Sequence, residues 1–446
     1  MWFVSVMIWL FGLLFATVVM VAIGDRVGLP WPVLLTIVTA GVIFIPGVPS
    51  AGSLSQFSHL MLPIFIPPLL WALARRASWA QIRRQWRSII MLSVLLVIAT
   101  AVAVGLTASW LVPALSVAGA MMIGAAISPP DPVAVDAVAE PAGVPRRLMN
   151  TLQTEGMFND AASILVFNLA LGVLTQGETV KWWEAIWEFG YSSGAAVLIG
   201  WFIGRGAAFL SNWMTSATAR NSFTWVIPFI TYLVAEEIHA SGVIAVVIAA
   251  IEYNSRVAIG AEDRLSGTVF WEIVELLFTG VAFGLIGIMA RDAIFTVGSD
   301  WGEAVMLGVV LSAVAIVVRG LWFLGMYATN KYTRYRVGGP LRLQETLLLT
   351  WAGMRGLVTL ALILSIPDTG DFGLYHEAPV IALVVLLFTM VIPGLTLPAL
   401  MKKLTLDSDP DAFGDVSREK LVNRARRAAR NKMQSYAGEI PQERLE

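Results

Sequence analysis

Long apolar runs separated by short polar loops recur along this chain as far as residue 401, and they leave few folds open to it. The first run, Met1 to Ile23, is almost continuously apolar. Crossing a bilayer core takes about 20 such residues as a helix, and buried spans in large bundles can be shorter. In lipid the backbone must satisfy its own polar groups, as a helix does within one segment. The runs predict about thirteen transmembrane helices, at 3–23, 32–45, 59–74, 88–112, 115–128, 148–175, 187–210, 223–238, 241–253, 267–290, 303–327, 343–365 and 378–401. The fold class expected is therefore an all-α polytopic membrane protein. Composition agrees: 57% of residues are hydrophobic and only 14% charged, where soluble domains average nearer a quarter. Met1–Ile23 lacks a basic leader and a small-residue cleavage site, so it reads as a retained first span.

Charge tests this segmentation independently. Cytoplasmic loops hold the excess of Lys and Arg. Alternate loops carry Arg26; Arg75, Arg76, Arg83, Arg84 and Arg87; Arg146 and Arg147; Arg220; Arg256 and Arg264; and Lys331, Arg334, Arg336 and Arg342. The intervening loops hold only Lys181 and Arg291, fifteen against two. A misplaced span would scramble that alternation. It puts the N-terminus outside and the C-terminus in the cytoplasm, with a membrane domain at 1–401 and a cytoplasmic tail at 402–446. In the tail, Arg424, Arg426, Arg427 and Arg430 fit either a basic helix on the inner leaflet or a solvated segment. The chain has no cysteine, which excludes disulfides, thiol catalysis and cysteine zinc sites. A net charge of −1 argues against nucleic acid as a partner.

Charge inside a span is costly, roughly 2.5 to 3.5 kcal/mol by the lowest scales, and marks function by default. Three clusters stand out. Ser128-Pro129-Pro130-Asp131-Pro132 places three prolines in four positions, which no regular helix accommodates. The apolar run resumes at Val133-Ala134-Val135, so the helix is expected to break at membrane depth. Freed carbonyls there can coordinate a cation, with Asp131 adding a carboxylate. Asp136, nearer the surface, reads as structural. The second cluster, Glu155-Gly156-Met157-Phe158-Asn159-Asp160, lies inside the run from Leu148 to Leu174. At 100° per residue Glu155 and Asn159 share a face, with Asp160 one step round. An unpaired carboxylate stripped of water favours its protonated form, whereas a dehydrating cation favours the ionised form. One such group holds a proton or a cation, not both, which is the chemistry of an exchanger. The third cluster, Gly353-Met354-Arg355-Gly356, buries an arginine that stays charged and needs an anion. Glu155 is the partner expected, leaving Asp160 to titrate. Arg319 is also mid-span, with Glu236 or Glu275 as expected partners. Arg205 sits near a span end and can snorkel.

These residues resemble the monovalent cation:proton antiporter-1 family, the NhaP-type sodium/hydrogen exchangers. Four segments match in order: Asp131-Pro132-Val133-Ala134-Val135; Glu155 through Asn159-Asp160; Ala235-Glu236, His239 and Ser241-Gly242-Val243; and Trp351-Ala352-Gly353-Met354-Arg355-Gly356. The resemblance implies a sodium/hydrogen-antiporter-like fold with inverted repeats and two unwound helices crossing at the site. It implies a homodimer in the cell (inner) membrane, whose ion-translocating bundle moves to give alternating access. It assigns ion binding to Asp160 with Asp131 and the structural ion pair to Glu155 with Arg355. Asn159 before Asp160 implies electroneutral exchange, one cation per proton. The chain departs from the family pattern at Gly156, often Ser, at Pro130, often Thr, and at Ala72, often acidic. The main-chain carbonyl of Pro130 can still act as a ligand.

The expected activity is exchange of Na⁺, or K⁺ or Li⁺, for H⁺, with no cofactor and no enzymatic reaction. A cation or proton channel is the alternative among transport proteins, although one pair of broken helices points to occlusion of a single ion. A membrane-embedded enzyme would have to use Asp160 and His239 as acid and base, with no cysteine nucleophile and no His-Glu-x-x-His motif.

Overall fold

The computed structural model describes residues 2–41, 58–139, 141–176, 182–257, 261–296, 301–332, 338–367, 372, 374–404 and 406. The expected basic tail segment around Arg424–Arg430, the loop residues Lys181, Arg334 and Arg336, and the end of the span at 32–45 lie outside them. Contacts divide the chain into a unit Met1–Leu404 and a unit Thr405–Glu446, and all that follows concerns the first.

The described residues of this unit are helical throughout their regular structure: α1 (Trp2–Val27), α2 (Trp31–Gly41), α3 (Ser58–Ala74), α4 (Trp79–Ile89), α5 (Leu96–Leu111), α6 (Val117–Ile127), α7 (Pro132–Ala139), α8 (Arg146–Gly156) and α9 (Asn159–Gln176). There follow α10 (Trp182–Trp213), α11 (Ala217–Glu237), α12 (Gly242–Arg256), α13 (Ala261–Thr296), α14 (Trp301–Tyr332), α15 (Leu343–Trp351), α16 (Leu357–Leu364), α17 (Ala378–Leu386) and α18 (Ile392–Lys403). A wider π turn at Ile90–Leu95 joins α4 to α5, and another at Leu387–Val391 joins α17 to α18. Among the described residues, seven stretches are long and apolar enough to cross a membrane by themselves: Met7–Val27, Trp79–Leu111, Arg146–Thr175, Ile186–Trp213, Leu265–Ile288, Trp301–Tyr332 and Ala378–Lys403. The other predicted segments fall on helices that are shorter, more polar or interrupted. The expected division after Glu237 is present: α11 ends there, His239 turns the chain with φ 58°, and the Ser241 hydroxyl caps α12 by accepting the Ile244 N–H.

Helices α4–α9 and α14–α18 pack chiefly with one another, and α1–α3 pack chiefly with α10–α13. Small residues set the closest approaches, as expected where lipid removes the hydrophobic drive for helix pairing. A Cβ on Gly200 or Gly204 of α10 would lie 2.4 or 2.6 Å from the carbonyl oxygens of Ala245 and Ala249 on α12. That leaves α12 buried at every position from Gly242 to Tyr253. Phe11, Phe15, Leu106, Trp110, Phe202, Phe209, Leu233 and Leu321 instead face outward in the open. A soluble surface does not tolerate such a girdle, and a hydrocarbon solvent does.

Candidate functional site

Two interrupted helices cross in the middle of the first group. In one, α6 ends at Ile127 and α7 begins at Pro132, so the break falls on the prolines, as the sequence predicts. In the other, α15 ends at Trp351 and α16 begins at Leu357, with Ala352–Gly356 unwound between them. The Asp131 N–H donates to the Met354 carbonyl at 2.7 Å, joining one break to the other. Gly356 permits this approach, because a Cβ there would lie 1.8 Å from Asp131 Oδ2.

Each break exposes a helix C-terminus and a helix N-terminus, with partial charges of about −0.5 and +0.5. The site supplies a compensating group at all four. Asp131 Oδ1 accepts the N–H groups of Val133 (2.8 Å) and Ala134 (3.2 Å), capping α7. Its Oδ2 accepts the Leu357 N–H at 3.1 Å, capping α16 as well. Arg355 Nε donates to the Ile127 carbonyl at the end of α6 (3.1 Å), and its Nη1 donates to the Gly353 carbonyl (2.8 Å). Arg319, arriving from α14, donates through Nε to the Leu349 carbonyl near the end of α15 at 2.9 Å.

The ion pair differs from the one expected. Glu155 is held by Arg319, not Arg355: Nη1 and Nη2 of Arg319 donate to Oε1 and Oε2 of Glu155 at 2.5 and 2.9 Å. Both side chains are about 98% buried. The reason is local. Arg355 stands inside an unwound segment, so its guanidinium turns onto the loose carbonyls beside it. Arg319 stands on a continuous helix whose own carbonyls are already bonded, and it reaches outward for its anion. Neither acid expected for Arg319 is its partner here: Glu275 pairs with Arg76 at 2.7 Å, and Glu236 accepts the Gly242 N–H. A Cβ on Gly353 would lie 2.3 Å from Arg319 Nε, so this glycine makes room for the arginine.

The helix carrying the second cluster is also interrupted. The span predicted at 148–175 is one membrane-length stretch, Arg146–Thr175, but Met157 and Phe158 form a turn in it between α8 and α9. Asn159 and Asp160 are thereby placed in the first turn of α9, where a helix favours negative charge. Asn159 Nδ2 donates to the Pro130 carbonyl at 2.5 Å. This leaves three acceptors facing the break: Asp160 Oδ1 and Asn159 Oδ1, both buried without a hydrogen-bond partner, and the second lone pair of the Pro130 carbonyl. Asp160 is 3% exposed, and Asp131 is the neighbouring carboxylate whose field reaches it. Gly156 packs on the Pro132 ring, where a Cβ would lie 2.4 Å from Pro132 Cβ. The departure from serine at that position therefore goes with the proline-rich break opposite.

Three hydroxyls at the site carry no sequence signal, since Ser and Thr are ordinary in buried helices. Ser93, in the first π turn, donates to the Glu155 carbonyl at 2.8 Å. Ser163, one turn beyond Asn159, donates to the Ala125 carbonyl at 2.8 Å. Thr359 on α16 is fully buried, with no partner for its oxygen. Asp136 is bound by Gln153 Nε2 at 3.0 and 3.1 Å, away from this cluster in sequence and on α7. A Gly-x-Ser-x-Gly spacing occurs at Gly190–Gly194, but it lies inside α10 without the strand-to-helix turn that a hydrolase nucleophile needs.

Buried acids on broken helices, compensated end by end, define an ion-transport site. Residues 12–403 match the family model described as "Sodium/hydrogen exchanger, transmembrane", and the chain belongs to that family. It is 28% identical over 422 residues to the Na(+)/H(+) antiporter ApNhaP of Aphanothece halophytica, covering 93% of this chain and 76% of that one. It is 30% identical over 438 residues to a sodium, potassium, lithium and rubidium/H(+) antiporter of Bacillus subtilis, covering 88% and 64%. Its fold is similar to the structure of the sodium proton antiporter MjNhaP1 from Methanocaldococcus jannaschii, with a TM-score of 0.70 at 14% identity over 91% of this chain and 99% of that one.

Proposed function

We propose that this antiporter exchanges Na⁺, or K⁺ or Li⁺, for H⁺ in a 1:1 electroneutral cycle, with Asp160 as the group that cation and proton share in turn. The observation that carries this reading is the position of Asp160: a buried carboxylate with an open oxygen, beside an amide oxygen and a main-chain carbonyl that are open as well. The other acids of the crossing are committed to fixed positive groups, Glu155 to Arg319 and Asp131 to two helix N-termini. Asp160, in the first turn of α9, has no arginine on it among the described residues and an open Oδ1, and that oxygen is left for the arriving cation. Asn159 and the Pro130 carbonyl complete the first ligands, and Asp131 adds its field from behind. A second carboxylate next to Asp160 in sequence would add a charge to the cycle, and Asn159 does not. The reading includes a homodimer in a prokaryotic inner membrane, as the family resemblance implies; the arginine bias of alternate loops supports its C-terminus in the cytoplasm. It needs no cofactor.

Proteoliposomes loaded with a pH-sensitive dye test it. Cation pulses drive proton flux in the native protein, at a rate unchanged by clamping the membrane potential. Asp160→Asn keeps the shape of the side chain and eliminates that flux. Normal exchange by Asp160→Asn removes this residue from the mechanism, and a rate that follows the clamped potential removes electroneutrality.

A further inference from the structure

A cation that sheds its water needs oxygens from several sides. Those of Asp160, Asn159 and Pro130 all come from the α6–α7 break and the start of α9. The second broken helix carries a hydroxyl that answers to this need. Thr359 on α16 is fully buried, and its Oγ1 has no hydrogen-bond partner among the described residues. The unwound backbone explains why. Thr17, Thr36, Thr39, Thr100, Thr231 and Thr389, all buried, each donate to the carbonyl four residues back. For Thr359 that residue is Arg355, which lies in the unwound segment and outside the helix. Gly356, three residues back, gives its carbonyl to the Leu360 N–H at 3.4 Å. The break that forms the crossing therefore also takes away the usual acceptor of Thr359.

The start of α16 sits at the crossing. Asp131 Oδ2 accepts the Leu357 N–H, and Thr359 lies two residues further on, about 3 Å along the axis at 1.5 Å per residue. Gly356, where a Cβ would lie 1.8 Å from Asp131 Oδ2, precedes Thr359 by three residues. Residues three apart share a helix face, so Thr359 continues the strip of α16 that meets Asp131. The same helix packs on α6 and on α9, which carries Asp160. We propose that Thr359 is a further cation ligand, its hydroxyl oxygen completing from α16 the set formed by Asp160, Asn159 and Pro130. This rests on the reading of Asp160 as the exchange site. A hydroxyl has two lone pairs and one hydrogen, so it can offer a lone pair to the cation and its hydrogen to a neighbouring oxygen once the cation has left. It carries no charge. Its loss therefore changes cation affinity and preference and leaves the one-to-one stoichiometry as it is.

Thr359→Val keeps the shape of the side chain and removes the hydroxyl. In proteoliposomes it should raise the Na⁺ concentration for half-maximal exchange about tenfold or more and alter the order of preference among Na⁺, K⁺ and Li⁺. The maximal rate should stay within about twofold, and Thr359→Ser should keep the half-maximal concentration within about threefold of the native value. Thermal unfolding in detergent gives a readout that a structural hydroxyl would move the other way. Without Na⁺, K⁺ or Li⁺, Thr359→Val should be as stable as the native protein or more so, because a methyl group replaces a polar group that has no partner. The rise in unfolding temperature on adding Na⁺ should then need about tenfold more of the ion. A native half-maximal concentration in Thr359→Val overturns the proposal. Lowered stability of that variant without cation does so too, since it assigns the hydroxyl to structure. Normal exchange by Asp160→Asn removes the site itself, whereas an inactive Asp160→Asn beside a native-like Thr359→Val removes only Thr359.

Discussion

Replacing Arg319 with methionine isolates the ion pair that the fold forms at the crossing. The change removes the bidentate contact to Glu155 and leaves that acid about 99% buried without its partner. Breaking a buried pair from one side costs about 3 to 5 kcal/mol, most of it the isolated charge. Arg319 also loses its bond to the Leu349 carbonyl, worth about 1.5 to 3 kcal/mol for a charged donor. Arg319→Met should therefore lower the unfolding free energy by roughly 5 to 8 kcal/mol, adding both effects. Combining it with Glu155→Met removes the stranded acid and should recover about 3 to 5 kcal/mol, while the Leu349 loss persists. The measurement is equilibrium unfolding in mixed micelles, arranged as a double-mutant cycle. A parallel cycle uses Arg355→Met with Glu155→Met. Since Arg355 is bonded to Ile127 and Gly353 carbonyls, its coupling to Glu155 should stay below about 1 kcal/mol. The assignment fails if the second cycle shows the larger coupling.

Other expectations follow from the same contacts. Asp131→Ala removes the caps of α7 and α16 together and should cost about 1 to 4 kcal/mol in the same unfolding assay, whereas Asp131→Asn retains one acceptor and costs less; equal effects would refute the capping role. Gly156→Ser drives a side chain into the Pro132 ring and should destabilise by about 1 to 3 kcal/mol; a neutral result would show that the break can shift to make room. Because one carboxylate serves both ions, the cation concentration for half-maximal exchange should rise about tenfold per pH unit on the acid side of the site's titration, with the maximal rate restored by excess cation. Acid inhibition that saturating cation leaves in place would count against a shared group.

The bundle was legible because lipid makes hydrophobic length a direct record of helices, and because charged groups in lipid are too costly to be incidental. Proline placed one break, at Ser128–Asp131, and the second unwound helix was implied only by the family resemblance. The break at Met157–Phe158 has no proline, and the glycine beside it, Gly156, passes in sequence for one more small residue in an apolar run. The sequence also held two mid-span arginines and several acids, and linear spacing does not rank pairings between helices hundreds of residues apart. From the sequence, Glu155 falls to Arg355, and Glu236 or Glu275 to Arg319. The two arginines separate only when the unwound backbone around Arg355 offers it oxygens closer than Glu155.

The two hydrogen bonds of Asp131 to the second broken helix, from its N–H to the Met354 carbonyl and from the Leu357 N–H to its Oδ2, have a mechanical consequence. They work as a rivet through both pieces of the crossing. Sliding one past the other would break the Asp131 bond to Met354 and strip the cap at Leu357, baring the start of α16 in a dry interior. Any stroke that turns Asp160 from one face of the membrane to the other must therefore carry the crossing as a solid cam, with the hinge motion displaced to the seams around it.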